Sequence, residues 1–95
     1  MTVTFQLTGF LRTFAGGARE VRLEVPGATV GDALRALGDR HPGVSSRVLD
    51  EQGSVRRHVN VFVGDQSIRD TGGLSTRLRD GSTISLLAAV SGGSG

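Results

Sequence analysis

Lysine, cysteine, tryptophan and tyrosine are all absent from the 95-residue chain. Without cysteine there is no thiol nucleophile, no disulfide framework and no thiolate metal site. The same absence suits a reducing compartment, and the chain reads as cytoplasmic. Without lysine it offers no side-chain amine as an acceptor for modification. There are only four phenylalanines, so a core must be built mainly from Val, Leu and Ile. No apolar run approaches the ~20 residues that span a membrane. Met1-Thr2-Val3-Thr4-Phe5 also lacks the basic-then-apolar layout of a signal peptide. A membrane partner is not expected.

Charge is the next scarcity. The eleven basic residues, all Arg, stand against nine acids, for a formal net charge of +2. The sequence pI of about 11.0 reflects missing groups and not a basic surface. Almost nothing titrates between the amino terminus and the guanidiniums. With so small an excess and no aromatic platforms, nucleic acid is a poor candidate partner. The length suits one domain on the usual scale of about 100–150 residues.

What is present is patterned. Val3, Phe5 and Leu7 alternate with Thr2, Thr4, Gln6 and Thr8, a strand with one buried face. After Phe10-Leu11-Arg12-Thr13-Phe14 and the turn signal Ala15-Gly16-Gly17-Ala18, Val21, Leu23 and Val25 alternate again. Two antiparallel strands with a longish connection follow from this. Thr29 suits a helix N-cap, with Asp32 placed for a weak capping box. Val30, Ala33, Leu34 and Leu37 then share one helical face, which predicts a helix over Val30–Arg40. Pro42-Gly43 is expected to end it, and Val44 to Arg57 reads as polar and poorly periodic.

Val59, Val61 and Val63 predict a third strand, Gly64-Asp65 a turn, and Gln66–Arg69 a short fourth strand. Thr71-Gly72-Gly73-Leu74 reads as loop, and Asp80-Gly81 as a tight turn. In the last strand Ile84 and Leu86 should face the core and Leu87 the opposite side. One helix cannot cover both faces of a sheet, so the order predicts an α+β fold. The arrangement that fits is a β-grasp (ubiquitin-like): a mixed, curled sheet packed on one main helix. Its first and last strands lie parallel at the centre. The domain is expected to cover residues 1–90 and a C-terminal tail residues 91–95.

The last strand runs straight into Ala89-Val90-Ser91-Gly92-Gly93-Ser94-Gly95. Two adjacent glycines present no side chains, so backbone can enter a narrow channel and place a carboxylate in a partner's site. The plain alternative is a frayed Gly/Ser terminus or a cloning remnant. With strand order and tail in view, the chain resembles the small ubiquitin-like sulfur carriers of the ThiS/MoaD type, closest to the cysteine-forming, CysO-like branch. The resemblance is carried by His58-Val59-Asn60-Val61-Phe62-Val63-Gly64-Asp65, Gly72-Gly73-Leu74, Arg79-Asp80-Gly81-Ser82-Thr83-Ile84 and Val90-Ser91-Gly92-Gly93. Two departures stand out. Ala88 and Ala89 occupy the place before the tail where the family often has Pro, and Ser94-Gly95 follow the diglycine that ends the family's mature form.

The resemblance implies a protein cosubstrate and not an enzyme. An E1-like adenylyltransferase/sulfurtransferase would adenylate Gly93, using ATP and magnesium that the carrier itself does not bind. A sulfur donor would displace AMP to leave a glycyl thiocarboxylate, with Gly92 beside it. A sulfur-accepting synthase would then consume it, in a pathway to cysteine or another sulfur-containing metabolite. Leu87, Ala89, Val90 and Ser91 are the expected partner-binding residues. A JAMM-type metalloprotease is the expected agent for removing Ser94 and Gly95 from Gly93. The same tail would serve a ubiquitin-like modifier conjugated to other proteins, which is the alternative reading.

Other features carry less. His41 and His58 lack neighbours at ligand spacing and read as surface histidines. Arg56-Arg57-His58 could steer an acidic partner, though a solvated start to a strand is the commoner case. Gly72-Gly73 has no following helix or lysine, so a positive-φ turn fits better than a phosphate cradle.

Overall fold

A computed structural model describes residues 1–88; the expected domain boundary at residue 90 and the tail lie outside them. Strand β1 (Thr2–Leu7) pairs antiparallel with β2 (Glu20–Glu24), Val3 opposite Leu23 and Phe5 opposite Val21. The period of two puts all four in the core, with Leu7. The connection holds a 3-10 helix at Gly9–Ala15 that buries Leu11 and Ala15, a regularity the sequence reading missed. It closes on Gly16 at φ 67°, a left-handed conformation that glycine adopts without strain.

Helix α1 occupies Val30–Arg40 as expected. Its start is fixed by a reciprocal capping box. The Asp32 backbone N–H donates to Thr29 Oγ1, and the Asp32 carboxylate accepts from the Thr29 and Ala28 backbone N–H groups. Val30, Ala33, Leu34 and Leu37 form its buried face.

Pro42-Gly43 does not begin a loop. It opens a second helix, α2 (Pro42–Val48), which buries Val44 and Val48, four residues apart. Proline in the first turn gives up no hydrogen bond, because that N–H has no partner inside the helix. Gly43 packs tightly: a Cβ there would stand 3.1 Å from the Phe14 side chain, which would have to give by a few tenths of an ångström. The main helix is therefore joined by a shorter one.

β3 (Val59–Val63) turns into β4, which covers Gln66–Ser67 and not Gln66–Arg69. The Ser67 hydroxyl accepts from the Arg69 N–H and starts a 3-10 turn at Ile68–Asp70, which drops Ile68 into the core. Gly72 and Gly73 have φ of 115° and 62°, so they form the expected turn, followed by a 3-10 segment at Gly73–Ser75.

β5 (Thr83–Ala88) closes the sheet in the order β2-β1-β5-β3-β4. It runs parallel to β1, Phe5 opposite Ile84 and Leu7 opposite Leu86, and antiparallel to β3. The mixed sheet with helices on one side is the α+β, β-grasp arrangement that the sequence predicts.

Leu86 is fully buried at the sheet centre. Leu86→Ala should destabilise the fold by about 2–5 kcal/mol, measured by denaturant unfolding. Hydrogen bonds from the Thr29 side chain first, then from the Ala28 and Thr29 N–H groups, with Arg35 nearby, hold the Asp32 carboxyl below the usual carboxylate range. A depressed folded pKa stabilises above the unfolded value and is lost as pH falls through the folded one. Asp32→Asn should therefore lower stability at neutral pH and lessen its fall on acidification below about pH 4. Melting curves across pH would check this.

Candidate functional site at the end of the central strand

Gly92, Gly93, Ser94 and Gly95, with Ala89, Val90 and Ser91, lie outside the described residues. What the structure places is the base from which they continue, and both sides of that base are tied down. On the β1 side, Thr8 Oγ1 donates to the Leu86 carbonyl at 3.1 Å, just past the end of β1. On the β3 side, Ala88 sits opposite Val59.

The start of β3 is itself braced by Arg69. Its guanidinium donates to the carbonyls of Val59 at 3.1 Å and Arg57 at 3.3 Å, and to Asn60 Oδ1. The sequence reading gave Arg69 no role. Nothing local signals this contact, since the partners lie nine to twelve residues away and meet only once β3 and β4 pair. Arg56 is likewise structural: its Nε donates to the Ser46 carbonyl at 3.1 Å. Arg57 and His58, next along, are exposed.

Leu87 points away from the core, 38% exposed and opposite Asn60. Ile84 and Leu86 on the other face are fully buried, so the inward and outward assignment along β5 holds. Phe62, opposite Ser85, shares the outer face and lies diagonal to Leu87, within reach of a large side chain. The period of β3 already placed Phe62 outward, yet its role as Leu87's apolar neighbour depends on the β3–β5 register. Around them the face is polar: Ser85 Oγ donates to Gln6 Oε1 at 3.2 Å.

Chemistry-bearing residues do not converge at this base. His41 lies between α1 and α2, its N–H donating to the Leu37 carbonyl at 2.7 Å. Among the described residues no three of His, Cys, Asp or Glu are grouped to hold a metal. An apolar cleft of about 330 Å³, lined by Val55, Val59, Val61, Ile68 and Leu74, opens on the helix side of the sheet, away from Leu87. No helix among the described residues is long and apolar enough to cross a membrane.

Three comparisons bear on this arrangement. The ThiS family matches residues 5–93, a span that includes Gly92 and Gly93. The sulfur carrier protein CysO of Mycobacterium tuberculosis is 36% identical over 95 residues, covering 98% of this chain and 100% of its own. Small archaeal modifier protein 1 of Haloferax volcanii is 40% identical over 78 residues, 81% of this chain and 85% of its own. Among solved structures, a chain of the Amycolatopsis orientalis BexX/CysO complex superposes with a TM-score of 0.83. It is 38% identical, with 96% of this chain and 99% of that one covered.

Because Leu87 and its neighbours stand outside the core, Leu87→Asp should change stability by about 1 kcal/mol or less. Thermal melting checks this, and a large loss would place Leu87 in the core.

Proposed function

The chain belongs to the ThiS family of ubiquitin-like sulfur carriers, and from that premise we propose that it carries sulfur as a thiocarboxylate on Gly93. The observation that carries the proposal is β5's position: central in the sheet, paired on both edges, and continuous in sequence with the diglycine. A rigid base lets binding energy spent on the folded domain position a distant carboxylate, since chain beyond Ala88 reaches at most about 3.3–3.6 Å per residue.

The chemistry requires a partner. A carboxylate is a poor electrophile, so an E1-like enzyme would let a Gly93 oxygen attack the α-phosphorus of ATP, with magnesium assisting and pyrophosphate leaving. Sulfide, or a sulfur donor, then attacks the acyl carbon, and AMP departs with that oxygen. Gly93 is left as a thiocarboxylate, ready for an acceptor on the way to cysteine or a related metabolite. The catalytic groups belong to the partners, and this chain is a cosubstrate. That a CysO protein forms a complex with BexX supports a protein-docked mode of action. Leu87 and Phe62 supply the apolar contact for docking, and Ala89, Val90 and Ser91 the neck that follows. Ser94 and Gly95 lie beyond the matched span; their removal, by a JAMM-type metalloprotease, is part of the same proposal.

The likeness to a small archaeal modifier protein favours one further reading, in which Gly93 is conjugated to amines on other proteins. The two readings differ in product. The carrier gains sulfur as a free protein, whereas the modifier appears in isopeptide adducts.

Three forms decide the matter: one ending at Gly93, one ending at Gly95, and one ending at residue 93 with Gly93→Ala. Each is incubated with the adenylating enzyme, ATP and sulfide, then weighed intact. Only the form ending at Gly93 should gain about 16 Da, the exchange of one oxygen for sulfur in the step above. Sulfur on the uncut form ending at Gly95 would overturn Gly93 as the site. Adding Leu87→Asp should lower the yield at limiting carrier while leaving the fold intact.

A further inference from the structure

The charges are not spread evenly along the molecule. α1 begins beside the end where β1 starts, as Val30 N–H donates to the Thr76 carbonyl and Gly81 N–H to the Thr2 carbonyl. Its C-terminus, α2, the Gly9–Ala15 turn and the starts of β2 and β3 therefore gather at the end where β5 stops. The far half holds Arg22, Arg35, Arg77 and Arg79, together with Glu24, Asp32, Asp65 and Asp80. The other seven of the eleven arginines lie in the near half, with Glu20, Asp39, Asp50, Glu51 and Asp70. The positive excess of the whole chain thus resides at the end from which the tail continues.

Among the described residues no ion pair neutralises that charge, although Arg12, Arg47, Arg56 and Arg69 make hydrogen bonds. Among the described residues the ion pairs are Met1 amine–Glu24 and Arg35–Asp32, both in the far half. Arg57 is exposed, and its side chain makes no hydrogen bond among the described residues. Its carbonyl, by contrast, is gripped by Arg69 at 3.3 Å. The guanidinium thus sits on a braced backbone beside the end of β5, and not on a frayed one. Across the same end, Phe10 is 36% exposed and stacks edge-on to Phe14 at 6.2 Å, while Arg47 covers the Phe14 ring at 4.0 Å. Phe10 and Leu87 are the large apolar side chains most exposed among the described residues, and both flank this end.

We infer that this end is a docking collar for a protein whose tail-receiving opening is rimmed with carboxylates, Arg57 and its neighbours steering and Phe10 seating the contact. The inference rests on the carrier reading, in which a partner threads the tail. A small net charge concentrated at one end orients the molecule as it approaches an acidic opening, which speeds productive encounter. An acidic rim suits this end best because exposed apolar anchors stand among the arginines; a nucleic acid backbone would leave Phe10 and Leu87 without a partner.

The test uses the form ending at Gly93 and its adenylating enzyme, with the rate followed against carrier concentration. Arg57→Gln should raise KM about threefold and Arg57→Glu about tenfold, with kcat unchanged. Arg79→Gln, in the far half, should leave both unchanged. The wild-type KM should rise as salt is increased from about 50 to about 300 mM, and that of Arg57→Glu should rise less. Melting curves establish that each variant is folded. An unchanged KM for Arg57→Glu with normal thiocarboxylation overturns the collar and leaves the carrier reading standing. Absence of wild-type activation at any salt overturns both. Retention of poly(U) by the wild type, lost in Arg57→Glu while KM is unmoved, overturns the acidic protein in favour of nucleic acid.

Discussion

The parallel pairing of β1 with β5 is the constraint on which everything else hangs. The two strands are separated by most of the chain, yet Phe5 lies opposite Ile84 and Leu7 opposite Leu86. Parallel neighbours cannot be joined by a tight turn, so all the intervening elements serve as their crossover. That crossover must bury the inner face, which explains why α1 and α2 lie on one side and the outer side stays polar. A one-residue slip in this register would exchange Leu86 for Leu87 and turn the core face outward. Register is held by side-chain burial and, at the ends, by two polar contacts. Asp80 accepts from the Thr2 N–H at 2.7 Å, and Thr8 donates to the Leu86 carbonyl.

The same pairing sets what the molecule can present. A final strand at a sheet edge could fray or pair with another chain. A central one is held from both sides, here by β1 as far as Leu86 and by β3 as far as Ala88. In the carrier reading stability and function then meet in β5: its inner residues anchor the fold, and its exposed residue Leu87 is the proposed contact for the partner. Under the proposed carrier role, rigidity of the base matters more than in a binding module, because the carboxyl of Gly93 lies several residues beyond it. Error at the base would be magnified along the neck.

Much of this was legible in the sequence, and the reasons differ by element. The strands were readable because their faces alternate strictly, and α1 because Thr29 and Asp32 write its start. α2 was not, since Pro42-Gly43 carries the same letters as a stop signal. What the letters do not carry is the packing of Gly43 against Phe14 and of Val44 and Val48 into the core, which holds the second helix in place. β4 was overextended because Ile68 continues an apparent alternation, while Ser67 bends the backbone before the alternation can continue. At the site, parity alone identified Leu87. Phe62 as its neighbour and Arg69 as the brace of β3 depend on pairing between segments distant in sequence, which no local pattern encodes.

Arg69 ties these levels together. A long cationic side chain on the short β4 edge could have been left to solvent. Instead it reaches across to the carbonyls of Arg57 and Val59, backbone acceptors at the start of β3. A charged donor satisfying two carbonyls makes stronger bonds than a neutral one would. It also places a fixed positive charge behind the exposed Arg57. Bringing like charges to one end costs some stability, and that cost is modest because the groups face water and salt. Lysine could provide charge there, but it would also provide an amine. An arginine-only surface keeps a positive face on a molecule whose activated carboxyl, in the carrier reading, must react with sulfur and not with the side chains of another copy.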